Sequence, residues 1–208
     1  MFKGQAEQDK FVLTVLDNKR NGTFVEIGSC DPININNSFL LESSYGWNGI
    51  MIEIDNRYLP LYKAHRPNSV HVIQDATTIK YDQLFQTSNM PTSIDYLQID
   101  LLVENRSTLD TLEKLNNEVF NSYTFATVTF EHDIYRGNYF NTRERSREIF
   151  GARGYVRVFS DISNDSNSFE DWYVHPSLVN MDYITKLIAA NSTAPMNWNQ
   201  IKYPVKQA

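Results

Sequence analysis

With 208 residues, 41% of them hydrophobic and 13% aromatic, the chain has the length and composition of one globular domain, its core expected over residues 5–190 and a polar tail over 191–208. The net charge of −6 and the scattered basic residues argue against nucleic acid as a partner, and no apolar run approaches the roughly 20 residues that cross a bilayer. The polar start from Met1 to Glu7 carries no export signal and the single Cys30 cannot close an internal disulfide, so a cytoplasmic protein is expected, with its oligomeric state open.

Phe11, Val12, Val15 and Leu16 recur at helical spacing between Gln5 and Lys19, and Asn21-Gly22 stops that helix. The run Thr23-Phe24-Val25-Glu26-Ile27 follows and ends at Gly28-Ser29-Cys30-Asp31; short β-branched runs of this kind are buried parallel strands. Asn37 or Ser38 is positioned to cap a helix through Phe39 to Tyr45, and Gly49-Ile50-Met51-Ile52-Glu53-Ile54-Asp55 forms a second strand. Glu53 stands 25 residues after Gly28, close to the spacing of about 20 at which nucleotide-binding folds place a ribose-binding carboxylate. An adenosine-containing cofactor is therefore expected.

A helix over 56–66, a strand over 69–73 closed by Asp75, a short helix over 81–86 and a strand over 94–100 closed by Asp100 come next. Ser107, with Asp110 three residues on, is expected to cap a helix whose apolar face is Leu109, Leu112 and Leu115. Phe125 to Phe130 is a fifth strand and runs into Glu131-His132-Asp133. A helix over 142–152 follows, its Arg143, Arg145 and Arg147 interleaved with Glu144 and Glu148 as on a solvated face. Tyr155–Phe159 and Phe169–Val174 have a short, mostly polar turn segment between them, too few residues for a parallel crossover, and so form an antiparallel hairpin before a helix near 183–190.

Five β/α units and a closing hairpin give a seven-stranded, mostly parallel sheet with helices on both faces, an α/β three-layer Rossmann-like sandwich of the class I S-adenosylmethionine-dependent methyltransferase type. Gly22-Thr23-Phe24-Val25-Glu26-Ile27-Gly28, Asn37-Ser38 ahead of Leu41-Glu42, Gly46-Trp47-Asn48-Gly49-Ile50-Met51-Ile52-Glu53, Ile94 to Asp100 and Thr129-Phe130-Glu131-His132 stand in the order of the FkbM family of these methyltransferases, which the chain resembles from about Gln5 to Pro176. Pro32 in the first loop and Leu101 to Asn105 after the fourth strand depart from that family's pattern.

The resemblance implies S-adenosylmethionine as cofactor and a hydroxyl of a sugar or other small polar metabolite as acceptor. Glu26, Gly28 and Ser29 would form the loop beside the methionine part, Asp31 would take its amino group, Glu53 the ribose hydroxyls, and Asp75 with Ala76 the adenine. Asp100, Glu131 and His132 are the candidates for catalysis, His132 as proton acceptor because an imidazole titrates near neutrality. These three also have ligand chemistry suited to a divalent metal, but no spacing fixes a geometry and no metal is assigned. The alternatives are a methyltransferase fold that binds without transferring and a nicotinamide-dependent oxidoreductase; the latter usually carries a fuller glycine motif and no closing hairpin.

Overall fold

A computed structural model describes residues 1–206. Its elements in chain order are α1 (Gln8–Val15), β1 (Thr23–Ile27), α2 (Phe39–Tyr45), β2 (Asn48–Glu53), α3 (Leu59–His65), β3 (Val70–Ile73), α4 (Tyr81–Thr87), β4 (Ser93–Ile99), α5 (Ser107–Glu118), β5 (Thr124–Glu131), α6 (Phe140–Ala152), β6 (Val156–Asn164), β7 (Asn167–Val174), α7 (Met181–Ala190) and β8 (Met196–Asn197). One sheet holds all eight strands in the order β3-β2-β1-β4-β5-β7-β6-β8. The first five are mutually parallel, and β7 closes antiparallel against β5 with β6 antiparallel beyond it. The expected Rossmann-like architecture is present, with one strand more than the seven expected: Met196 and Asn197, in the segment read as a polar tail, pair with Ile162 and Ser163 of β6.

Alternation along β1 divides the core. Val25 and Ile27 pack with Tyr81, Phe85, Leu112 and Phe150 of α4, α5 and α6 on one face. Phe24 packs with Phe11, Leu41, Tyr62 and Leu187 of α1, α2, α3 and α7 on the other. A sheet buried on both faces requires the near-continuous apolar runs that mark these strands in the sequence. The order reverses between β1 and β4, so the loops leaving these two strands splay apart and open a crevice at their carboxyl ends.

Several local expectations change. Ser38 precedes α2 but caps nothing: its N–H and Oγ donate to the Glu26 carboxylate at 3.1 and 2.9 Å. Asn105, not Ser107, closes the start of α5, its Oδ1 accepting the Ser107 N–H at 3.0 Å. Helix α1 is shorter than the 5–19 pattern because Glu7, Asp17 and Asn18 adopt positive φ. The expected helix over 56–66 is a 3-10 turn, Asn56–Tyr58, followed by α3, which Pro60 opens.

No helix among the described residues is long and apolar enough to cross a membrane.

Candidate functional site

The loop after β1 is tied from three sides. Gly28 and Ser29 donate their N–H groups to Ile52 O at 2.9 and 3.1 Å, Cys30 N–H donates to Glu53 Oε2 at 2.9 Å, and the Tyr62 hydroxyl donates to Cys30 O at 2.7 Å. Gly28 has φ +87°, and a Cβ there would lie 1.8 Å from the carbonyl oxygen of Asp100. Only glycine lets β1 leave the sheet in this direction while passing so close to the β4 turn.

Glu26, expected in the cofactor loop, lies beneath it and borders the cavity of about 270 Å³ that Gly28, Ser29 and Asp31 also line. Its carboxylate accepts from Ser38 and from Asn36 Nδ2 at 3.1 Å, with the fully buried Arg66 alongside; Arg66 itself donates to Glu42, Asn36 and Ser38. Burial raises the Glu26 pKa, opposed by the Arg66 charge and these hydrogen bonds. Glu26 thus shapes the loop from inside. Ser29 does likewise, its Oγ donating to Glu26 O at 3.1 Å.

Glu53 is the best-organised acid in the crevice. Oε1 accepts the N–H groups of Ile54 and Asp55 at 2.8 and 3.0 Å, and Oε2 accepts Cys30 N–H, which fixes the rotamer and leaves further lone pairs on both oxygens. Beside it a cavity of about 120 Å³ is bounded by Ile54, Leu102, Asp75, Ala76 and Ser107. Ile54 is 68% and Leu102 60% exposed. Two such apolar side chains at the mouth of a narrow slot suit a flat heterocycle, and the sequence reading missed both. The place of Ile54 directly after the strand-closing acid was a usable signal, whereas the exposure of Leu102 depends on how the loop after β4 folds. Asp75 accepts Thr77 N–H at 2.9 Å and opens a 3-10 turn, and it also lines this slot with Ala76. Asp55, the last residue of the run read as the second strand, instead starts the 3-10 turn that follows, accepting Arg57 N–H at 3.0 Å.

Asp31 accepts Ile33 and Asn34 N–H groups at 2.8 and 2.7 Å, and the Asn34 hydrogen bond above all lowers its pKa. It borders the same cavity of about 270 Å³ together with Gly28, Ser29 and Asp100. At Cys30 beside it, burial first and then the charges of Glu53 and Asp100 push the thiol from 9.0 up to about 12, against formation of a thiolate.

A third cavity, about 610 Å³, joins these regions and is lined by Gly28, Glu53, Asp100, Glu131, Asp133 and Arg136. Asp100 and Glu131 face into it from the ends of β4 and β5, enclosed by protein on their other sides. Burial raises the Asp100 pKa, with the Asp133 charge adding and a hydrogen bond from Glu131 opposing. Glu131 is pushed far up, first by burial and then by Asp100 and Asp133.

The structure corrects the reading of His132. The ring is 0% exposed and borders none of these three cavities. Successive residues of a strand point to opposite faces, so Glu131 and His132 cannot both face the crevice. His132 Nε2 lies 3.5 Å from Asp161 and 3.6 Å from Asp171, in a network that Arg147 dominates: its Nε donates to Asp171 Oδ2 at 2.7 Å and its terminal nitrogen to Asp161 and Asp171 at 3.0 Å. Burial works to raise the Asp171 pKa, but His132 and Arg147 outweigh it and hold the carboxyl well below its ordinary range. Arg143 also reaches Asp161, at 3.1 Å. Arg143 and Arg147 of α6, expected on a solvated face, thus clamp the hairpin at the β6 irregularity where Asp161 adopts φ +53°, while Arg145 stays exposed and pairs with Glu113 and Glu148.

Glu170 on β7 is buried and its Oε1 accepts from Gln8 Nε2 at 2.7 Å. Burial first, with the Asp100 charge adding, pushes it from 4.5 up to about 8. The folded state therefore binds a proton that the unfolded state has released, and stability falls as pH rises between these values. Glu170→Gln is expected to remove this slope and to gain on the parent chain by an amount on the order of 2–4 kcal/mol between pH 5 and pH 8. Urea denaturation in a chelator-containing buffer at both pH values checks it, and a parallel pH response in both proteins would contradict it.

A larger cavity, about 900 Å³, lies at the other end of the sheet, around Asp17, Lys19, Asp95 and Lys186. Lys19 and Asp95 there neutralise each other at 2.6 Å, and the strand carboxyl ends, where doubly wound sheets bind ligands, are remote from it. The crevice at Gly28 and Glu53 is the candidate site.

No family model matches the chain, and no curated protein matches it. Solved structures do. A TehB-like SAM-dependent methyltransferase from Corynebacterium glutamicum aligns over 81% of this chain and 86% of its own at 12% identity, with a TM-score of 0.54. The human methyltransferase 10 domain containing protein aligns over 80% of each chain at 10% identity and TM-score 0.50. A protein in the NADB-Rossmann superfamily from Streptococcus agalactiae covers 84% of this chain and 70% of its own at 13% identity and TM-score 0.52. The chain shares their α/β Rossmann-like methyltransferase fold, a mostly parallel sheet closed by antiparallel strands. At these identities the likeness reaches the fold and stops short of the FkbM family.

Proposed function

We propose that the crevice binds S-adenosylmethionine and that the chain is a methyltransferase acting on a hydroxyl of a sugar or another small polar metabolite. The observation that carries the donor reading is Glu53: a carboxylate held by three backbone N–H groups at the end of β2, between the Gly28 loop and an apolar slot. A ribose diol is the partner that a two-oxygen acceptor in this position fits. The absence of a Cβ at Gly28 lets the donor's methionine part approach backbone, with Asp31 at the loop's outer end for its amino group. The acceptor class rests on the FkbM resemblance and on the polar lining near Glu131, which includes Asn164 and Asn167.

S-Adenosylmethionine supplies an electrophilic methyl on a sulfonium, and transfer breaks that C–S bond as an O–C bond forms. The chain has to align the acceptor oxygen and remove its proton. Asp100, at the meeting point of the donor loop and the wide cavity, is assigned to this contact, and Glu131 to a second acceptor hydroxyl. His132 has no part in it, being turned to Asp161 and Asp171. Asp100→Asn is expected to lower methyl transfer by about 100-fold or more while S-adenosylhomocysteine affinity stays within a few fold. His132→Gln is expected to leave the pH profile of transfer in place. An assay of labelled methyl transfer across a panel of polyhydroxy acceptors, run beside calorimetry, reads both. Unimpaired transfer by Asp100→Asn would take the role from that residue, and donor binding with no transfer to any acceptor would favour a binding protein.

A further inference from the structure

We propose that Asp100, Glu131 and Asp133 form a site for a hard divalent cation of the Mg²⁺ or Mn²⁺ class at the acceptor end of the crevice. The proposal rests on the donor reading above and extends it by assigning a metal to the same site.

The ends of β4 and β5 deliver Asp100 and Glu131 side by side, and Asp133, at φ +47°, turns back toward them. Asp100, Glu131 and Asp133 line one cavity together. Two further observations point to a missing partner. Asp133 is only 3% exposed, lines the cavity, and its Oδ1 has no hydrogen-bond partner. Gln98, also 3% exposed, rests with Nε2 3.3 Å from Asp100 Oδ2 while its carbonyl Oε1 is unpartnered. Buried acceptors without donors are rare and ask for an occupant.

Charge argues the same way. Three carboxylates converge here with the buried Glu170 and with Glu53 nearby, against one cation, Arg136. Arg136 is half-exposed and divided: its Nε lies 3.3 Å from Asp133 Oδ2 and 2.9 Å from the Tyr135 hydroxyl, and its terminal nitrogen 3.3 Å from Glu104. Carboxylates lining one cavity repel one another, and a cation among them relieves that repulsion. Carboxylate and carbonyl oxygens with no sulfur or imidazole select a hard ion, bound at about 2.1 Å for Mg²⁺. The ion would polarise an acceptor hydroxyl and so ease loss of its proton, in a cavity that His132 does not border.

The competing cluster, His132 with Asp161 and Asp171, has its ligand atoms within 4.8 Å of one another. Arg147 and Arg143 already occupy those aspartate oxygens, so a cation there would meet guanidinium charge.

The test is calorimetric titration of MnCl₂ into the full chain in two buffers of different ionisation enthalpy. One Mn²⁺ per chain is expected, with proton release. Affinity should fall at least about 10-fold in Glu131→Gln and in Asp133→Asn, and stay unchanged in His132→Gln. Melting curves of each variant without metal confirm that it is folded. No saturable binding at millimolar Mn²⁺, or binding that both carboxylate variants retain, overturns the site. S-Adenosylhomocysteine titrated in the presence of a chelator separates the two readings: binding there with no Mn²⁺ site overturns the metal alone, and a Mn²⁺ site with no S-adenosylhomocysteine binding overturns the donor.

Discussion

Gly28→Ala is expected to abolish measurable S-adenosylhomocysteine binding and to lower the melting temperature by roughly 10 °C. Two costs add. Alanine at φ +87° is strained by about 1–2 kcal/mol. Its Cβ would also sit 1.8 Å from the backbone carbonyl of Asp100, so β1 and β4 have to separate where they pair through Ile27 and Ile99. A total above about 3 kcal/mol corresponds to a shift of that size in a chain of 208 residues. Thermal denaturation with and without S-adenosylhomocysteine reads both effects. A variant that melts and binds like the parent would mean that the loop does not hold the conformation described.

Glu53→Ala is expected to weaken S-adenosylhomocysteine binding by about 100-fold or more while the chain stays folded. Each charged hydrogen bond to a ribose hydroxyl contributes roughly 1.5–3 kcal/mol, and 1.4 kcal/mol is a factor of ten. Loss of the carboxylate also frees Cys30, Ile54 and Asp55 N–H groups, which loosens the loop and adds to the effect. Glu53→Gln keeps one acceptor oxygen without the charge and should fall between the two. Calorimetry on the three proteins checks the order, and equal affinity in all three would place the ribose elsewhere.

The sheet was legible because its parallel strands are buried on both faces, and such strands need apolar runs that a single sequence displays. Their closing acids, Glu53, Asp75 and Asp100, were legible for a related reason, since a carboxylate after an apolar run sits where the strand leaves the core. His132 shows the limit. Its neighbour Glu131 ends the β5 ladder facing the crevice, and the strand's period of two then turns His132 away from it. That alternation was available in the sequence and argues for Asp133 as the next residue to share Glu131's side.

Other features depend on distant partners. Arg147 and Asp171 are 24 residues apart, and nothing in the Arg143 to Glu148 pattern shows that two of its arginines face the hairpin. The two-residue β8 has no strand signal of its own and exists because β6 offers it an edge at Ile162 and Ser163. The loop from Leu101 to Asn105 departs from the FkbM pattern, yet it brings Leu102 to the mouth of the slot beside Glu53. Its chemistry emerges only when the loop's path is known.

The central claim is that the Gly28 and Glu53 crevice holds S-adenosylmethionine. Titration of S-adenosylhomocysteine into the 208-residue chain tests it most directly. Saturable one-to-one binding in the micromolar range, lost in Glu53→Ala, is expected; no heat of binding at millimolar ligand, in a chain shown to be folded, would contradict it.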